Sequence, residues 1–264
     1  MCGMCGISMS PSEELDIDAL AKDMLVEMQS RGADATGLAW QTSENQIWIT
    51  KSNVPANIFI KDEQVPSDVR TLIGHTRWAT KGSPENNNNN HPIDTYGIVG
   101  IHNGFIGNDD QLFNEHIGLE NRIAEVDSEA AFALLGIADV KVAETLAKLE
   151  GLAALAWFNS QTPGVLHLTR VSYSPLVVAS TAQGSLLFAS TLNCLRNTAV
   201  KHSLTLENIE PLKEGTYLAV KDGAIIERST FDPPKRHLVQ STFNFDAIDY
   251  SNPSVYQLNR LMRT

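Results

Sequence analysis

Cysteine is scarce: Cys2, Cys5 and Cys194 are the only three in 264 residues. An odd, low count argues against a disulfide framework. It also argues against structural zinc, which takes four ligands, usually two pairs of Cys or His. Cys2 and Cys5 make one C-x-x-C, and neither a second pair nor an H-x-x-x-H completes it. A thioredoxin-like motif needs a strand ahead of its C-x-x-C, and none fits before residue 2. Positive charge is also short, with 20 Lys and Arg against 31 Asp and Glu and a net charge of −11. The basic residues are scattered, which disfavours nucleic-acid binding, because phosphate contacts need a clustered basic surface. No apolar run approaches the ~20 residues of a membrane span. The N-terminus lacks the basic region and apolar core of a signal peptide. These absences predict a cytoplasmic protein with no membrane or nucleic-acid partner and with neither metal nor cofactor.

What is present is ordinary in bulk, 42% hydrophobic and 19% charged residues, with length enough for one sizeable core or two small ones. "CGMCGISM" suits a buried strand. Leu15, Ile17, Leu20, Met24, Leu25 and Met28 recur at helical spacing and predict an amphipathic helix over 15–30. "LAWQTSENQIWITK" reads as two strands around a polar turn. "TLIGHTRWAT" begins as a buried strand and ends in a polar cluster. The following "KGSPENNNNNHP" is a loop whose Asn run reads as a surface insert. "YGIVGIHNG" is a strand ending in a turn, and "DSEAAFALLGIA" and "KVAETLAKLE" read as helices. After Gly151 the pattern is strand-like, through "LAALAWF", "VLHLTR", "PLVVAS", "SLLFAS", "GTYLAV" and "AIIERS". Hairpin strands with bunched helices predict α+β layers rather than a doubly wound parallel sheet. One domain is expected over 2–232. Residues 233–264 are expected as a tail, either loose or packed along its own domain, or as a docking segment with Phe243, Phe245, Tyr250 and Tyr256 as anchors.

Four stretches carry chemistry. Were Met1 removed, Cys2 would own both a thiol and the free α-amine. Roughly 10–15% of such amines are neutral at pH 7, a standing base beside a nucleophile. Cys5 could do this only after the loss of four residues. "IHNGFIGN" can aim the Asn103 side-chain N–H and the Gly104 backbone N–H at one point, as an oxyanion hole requires. Taken alone, "HNG" is only a turn signal. Arg77 in "GHTRWATKG" can hold a carboxylate in a bidentate pair, or be a surface Arg after a strand. Asp127 in "VDSEAA" reads equally as a helix N-cap and as an acceptor for a substrate ammonium. Arg77 and Asp127 together would read the two charges of a free α-amino acid.

Taken in order, these motifs resemble the class II glutamine amidotransferases, the N-terminal-nucleophile hydrolases that release ammonia from glutamine. "MCGMCGI" matches the family's start, and "RGADATG" (Arg31 to Gly37) its Arg-Gly-x-Asp-x-x-Gly turn. "GHTRWATKG" is close to the form in glucosamine-6-phosphate synthases; "NHP", "HNGFIGN" and "DSE" follow at the expected intervals. The resemblance implies a four-layer αββα sandwich. It implies that Cys2 is the nucleophile and its amine the base, with Asn103 and Gly104 as the oxyanion hole. It further implies that Arg77 holds the glutamine α-carboxylate and Asp127 the α-ammonium, while Trp78 and Thr80 belong to a loop that folds over the substrate. His75 and His102 are then structural. Lys81 stands where glucosamine-6-phosphate synthases carry His, and the residues after the glutaminase are too few for a synthase domain. The expected function is a glutaminase feeding ammonia to a separate acceptor synthase or ligase. The alternatives are a hydrolase of γ-glutamyl compounds and a catalytically silent assembly module.

Overall fold

The computed structural model describes residues 1–42, 44, 46–137 and 141–233. Residues 234–264, with the aromatic positions Phe243, Phe245, Tyr250 and Tyr256, lie outside the described residues. In chain order the elements are β1 (Gly3–Ser8), α1 (Ile17–Met28), β2 (Ala35–Gln41), β3 (Ile47–Ser52), α2 (Ala56–Phe59), β4 (Thr71–Arg77), β5 (Ile93–Thr95) and β6 (Ile98–Ile106). Then come α3 (Asp109–His116), α4 (Ser128–Gly136), α5 (Val142–Leu146), β7 (Gly151–Asn159), β8 (Val165–Ser172), β9 (Val177–Thr181) and β10 (Leu186–Ala189). The described chain closes with α6 (Leu192–Lys201), β11 (Leu206–Pro211), β12 (Thr216–Lys221) and β13 (Ala224–Thr230).

The strands form two antiparallel sheets, β11-β9-β10-β1-β4-β2-β3 and β13-β12-β8-β7-β6-β5. Strand side chains alternate between faces, and three apolar layers follow from that alternation. Cys5 and Ile7 of β1 point outward, onto Leu20, Met24 and Leu25 of α1 and Leu195 of α6. Met4, Ile73, Ile101, Ala154 and Phe188 fill the space between the sheets. On the far side, Ile98 and Ile106 of β6 meet Ala131, Phe132 and Leu135 of α4. The result is the four-layer αββα sandwich expected from the sequence.

Helix α1 starts where the Asp16 side chain accepts from Ala19 N at 3.0 Å and stands two residues inside its predicted start. α4 is buried almost all round, because α3 covers its outer side through Phe113 packed on Ala130 and Ala133. The sequence misleads in two places. Residues 192–201 were expected to continue a strand-only half but form α6, capped by Thr191 accepting from Cys194 N at 3.3 Å. Cys194, Leu195, Thr198 and Ala199 form its buried face, with Leu192 packed beside them, a helical spacing within only ten residues set between strands. "KVAETLAKLE" yields only the short α5 before the chain turns into β7. Among the described residues no helix is long and apolar enough to cross a membrane.

Candidate active site

The alternation that builds the inter-sheet core also assembles the site. On β1, Met4 faces inward, and Cys2 has the same parity just before the strand begins. On β4, Ile73 faces inward, so His75 and Arg77 follow it. On β6, Val99 and Ile101 face inward, so Asn103 follows them. Register places Gly3 opposite Thr76, which leaves Cys2 beside Arg77. A hydrogen bond of 2.9 Å between His75 Nε2 and the His102 carbonyl joins β4 to β6, one residue before Asn103.

Cys2 Sγ lies against the peptide of Trp78, 3.4 Å from its N–H and 3.6 Å from its carbonyl. Arg31, buried, holds the Cys2 carbonyl through Nε at 2.8 Å. Burial pushes the Cys2 thiol up; the terminal ammonium, the Trp78 backbone, Arg77 and Arg31 oppose this without reversing it. The thiol is therefore protonated at neutral pH and needs a base. His75 is a poor one, since burial lowers it to about 3. His102 and His91 are lowered by burial as well.

Asn103 is fully buried, and its side-chain N and O both lack a partner among the described residues. Sequence reading ends the strand at Asn103–Gly104; the structure carries β6 on to Ile106. What breaks the geometry is Gly104 itself, at φ +144, where a Cβ would stand 1.7 Å from the Leu152 carbonyl oxygen. Asp127 caps α4 by accepting from Ser128 N at 3.1 Å, and its other oxygen accepts from Ile106 N at 2.6 Å. It thereby fixes the end of β6 to α4.

The 78–82 loop over Cys2 is pinned at several points. Gly32 lets the 31–34 turn press against β4, since a Cβ there would meet the Arg77 carbonyl carbon at 2.3 Å. Asp34 accepts from Ala79 N at 2.7 Å. Thr80 is exposed on this loop, and Trp78 is half-buried. The bidentate grip expected of Arg77 is not open in this arrangement. Both planar forks of a guanidinium use NH2, and here NH2 donates to the Lys81 and Gly82 carbonyls at 2.7 and 2.9 Å. NH1 donates to Asn90 Oδ1 at 2.9 Å, so a two-point grip requires the 81–82 segment to move.

The Asn run is a surface insert only in part. Asn86 to Asn88 are exposed, but Asn89 and Asn90 are fully buried. Asn89 bonds Ser83 O, Glu125 Oε2 and Glu125 N, at 3.0, 2.7 and 2.8 Å, and so ties this loop to the segment ahead of Asp127. Low-complexity composition hides such a role, because five identical residues carry no periodic signal.

Lys81 pins the loop to α3. Its Nζ lies 2.5 Å from Asp109 Oδ2, and Arg122 NH2 reaches the same oxygen at 2.6 Å. The two cations hold the Asp109 carboxyl below its ordinary value, outweighing the opposing effect of burial. A depressed carboxylate pKa stabilises the fold above the unfolded-state value and loses that contribution as pH falls through the folded one. Asp109→Asn is therefore expected to lower stability by about 1–3 kcal/mol at pH 7. The deficit should narrow only below about pH 4, as pH falls from the ordinary carboxylate range through the lower value held in the fold. Melting temperatures of both proteins between pH 3 and pH 8 measure it; a pH-independent gap would refute the charge origin.

A family model described as a glutamine amidotransferase domain matches residues 75–197. The glutamine–fructose-6-phosphate aminotransferase of Oceanobacillus iheyensis is 28% identical over 242 residues, spanning 88% of this chain and 39% of its own length. That of Corynebacterium diphtheriae is 31% identical over 194 residues, 67% of this chain and 31% of its own. Among solved structures, the glutamine phosphoribosylpyrophosphate amidotransferase from B. subtilis superposes with a TM-score of 0.70 at 18% identity, covering 87% of this chain and 49% of that one. The chain thus spans about two fifths or less of the length of these curated relatives. The sandwich, its site at the end of the inter-sheet space and these matches agree: the chain carries a glutamine amidotransferase domain of the class II type, on the N-terminal-nucleophile hydrolase fold.

Proposed function

We propose that this domain hydrolyses the side-chain amide of glutamine through a thioester on Cys2 and supplies the ammonia to a separate synthase or ligase. One arrangement supports the reading above others: a protonated thiol packed on the Trp78 peptide, beside Arg77, with no nearby imidazole basic enough to activate it. Such a thiol gains a base if Met1 is removed and the Cys2 amine is freed, with a reference pKa of about 7.7–8.0.

In this mechanism the amine takes the thiol proton and Sγ attacks the amide carbon of glutamine. Asn103 Nδ2 and Gly104 N donate to the oxyanion. Collapse expels ammonia, which receives the proton back from the amine; water then cleaves the thioester to glutamate and regenerates the thiol. Asp127 accepts from the substrate ammonium. Arg77 supplies charge to the α-carboxylate, at first through the N–H groups it has not committed, and by two points once the 81–82 segment shifts. Trp78 and Thr80 form the cover.

The separate acceptor is proposed from the relatives, whose names join glutamine use to amination of fructose 6-phosphate within chains more than twice the matched length. The test is simultaneous measurement of ammonia and glutamate from glutamine, with intact mass. Equal amounts of both from protein lacking Met1 are expected; active protein that retains Met1 would sink the amine-as-base step. Release from γ-glutamyl peptides but not from glutamine would sink the substrate assignment.

A further inference from the structure

Behind the site lies a buried polar cluster to which the mechanism gives no part. Ser128 Oγ is 2.9 Å from His91 Nε2 and 2.9 Å from His102 Nδ1. His75 lies with its ring 4.2 Å from that of His91, and its Nε2 reaches the His102 carbonyl. All four residues are at most 5% exposed. Ser128 follows Asp127, and His102 precedes Asn103. His91 follows Asn90, which bonds Arg77. His75 stands two residues before Arg77, on the same face of β4.

We propose that Ser128 is a positioning residue whose single hydroxyl holds together the strand that carries Asn103, the loop that carries Asn90 and the helix start that carries Asp127. The inference rests on the glutaminase reading of those residues.

The hydrogen-bond inventory gives the two rings opposite roles. A hydroxyl has one hydrogen, so between two imidazoles it donates to one and accepts from the other. The donating and the accepting ring sit on different elements, His102 on β6 and His91 in the loop ahead of β5. His75 Nε2 faces a carbonyl and must carry its own hydrogen. Burial keeps all three rings neutral at physiological pH, so the pattern is fixed rather than titrating. Removing Oγ leaves one buried donor and one buried acceptor unpaired on two different elements, and the elements are then free to drift apart. Those elements carry Asp127, the Asn90 that bonds Arg77, and the oxyanion strand. Cys2 itself hangs from β1 and the Trp78 peptide and has no bond to the cluster.

This difference supplies the test. Alkylation of Cys2 is followed by peptide mass spectrometry with two reagents: iodoacetamide, which needs only an accessible thiol, and an electrophilic chloroketone analogue of glutamine, which must first be clamped. In Ser128→Ala the iodoacetamide rate should stay within about twofold of wild type, while labelling by the analogue should fall about tenfold or more. Ser128→Thr, which keeps the hydroxyl, should recover most of the loss. Unchanged analogue labelling in Ser128→Ala overturns the proposal. So does an equal change in both labels, in either variant, because the hydroxyl would then serve the whole fold rather than the clamp. Wild-type protein that reacts with iodoacetamide but not with the analogue overturns the glutamine reading itself, a result visible before any variant is made.

Discussion

Cys2→Ala is expected to abolish ammonia release from glutamine, by about four orders of magnitude or more, because removal of a covalent nucleophile leaves only binding and oxyanion stabilisation. Cys5→Ala is expected to retain most of the activity. The two thiols look alike in "MCGMCG", but the strand separates them. Cys2 shares the inward parity of Met4, whereas Cys5 faces outward against α1. Burial holds the Cys5 thiol well above its ordinary value, and its Sγ rests 3.8 Å from the Gly74 carbonyl with no base in reach. Cys194, also buried, is raised to about 12. Trimming Cys5 to Ala removes one sulfur from a packed layer and should be felt in melting temperature more than in rate. A coupled assay for ammonia on wild type, Cys2→Ala and Cys5→Ala decides the matter. A dead Cys5→Ala that remains folded would place the nucleophile three residues further on.

Asn103→Ala is expected to lower kcat by about 10²–10³-fold with little change in KM, which corresponds to about 2.7–4 kcal/mol of lost transition-state stabilisation. The separation of kcat from KM follows from geometry. An oxyanion exists only after attack, so a donor aimed at it does little for bound glutamine. Asn103 suits that task because its amide is fully buried and uncommitted to other described residues, whereas Asp127 and Arg77 already hold structural bonds. Asp127→Asn should behave oppositely, raising KM more than it lowers kcat, because the ammonium is present in both states. Steady-state kinetics with glutamine reads both variants. A KM effect as large as the kcat effect in Asn103→Ala would remove it from the oxyanion role.

Much of the frame was legible in the sequence because it is written in local periodicity. Short apolar runs give β1, β4 and β6, and helical spacing gives α1. The motif order from Cys2 to Asp127 was equally readable, since each motif is a short run of unusual residue types. α6 was not read from the sequence although Cys194, Leu195, Thr198 and Ala199 fall at helical spacing, because its ten residues, polar ones included on the buried face, stand among strand-like runs. The uniform composition of the run Asn86 to Asn90 likewise hid that only its last two members are buried.

By itself, then, the sequence determined which chemical groups this protein owns, the order in which their motifs follow one another, and that Cys2 rather than Cys5 stands next to Met1. The tertiary structure alone decided their partners. It loaded NH2 of Arg77 with the Lys81 and Gly82 carbonyls, buried Asn90 against the same guanidinium, and set Ser128 between His91 and His102. The physical reason is one of range: side-chain periodicity is set by backbone sterics within a few residues, whereas these bonds join positions up to 37 residues apart and exist only once two sheets and a helix have met.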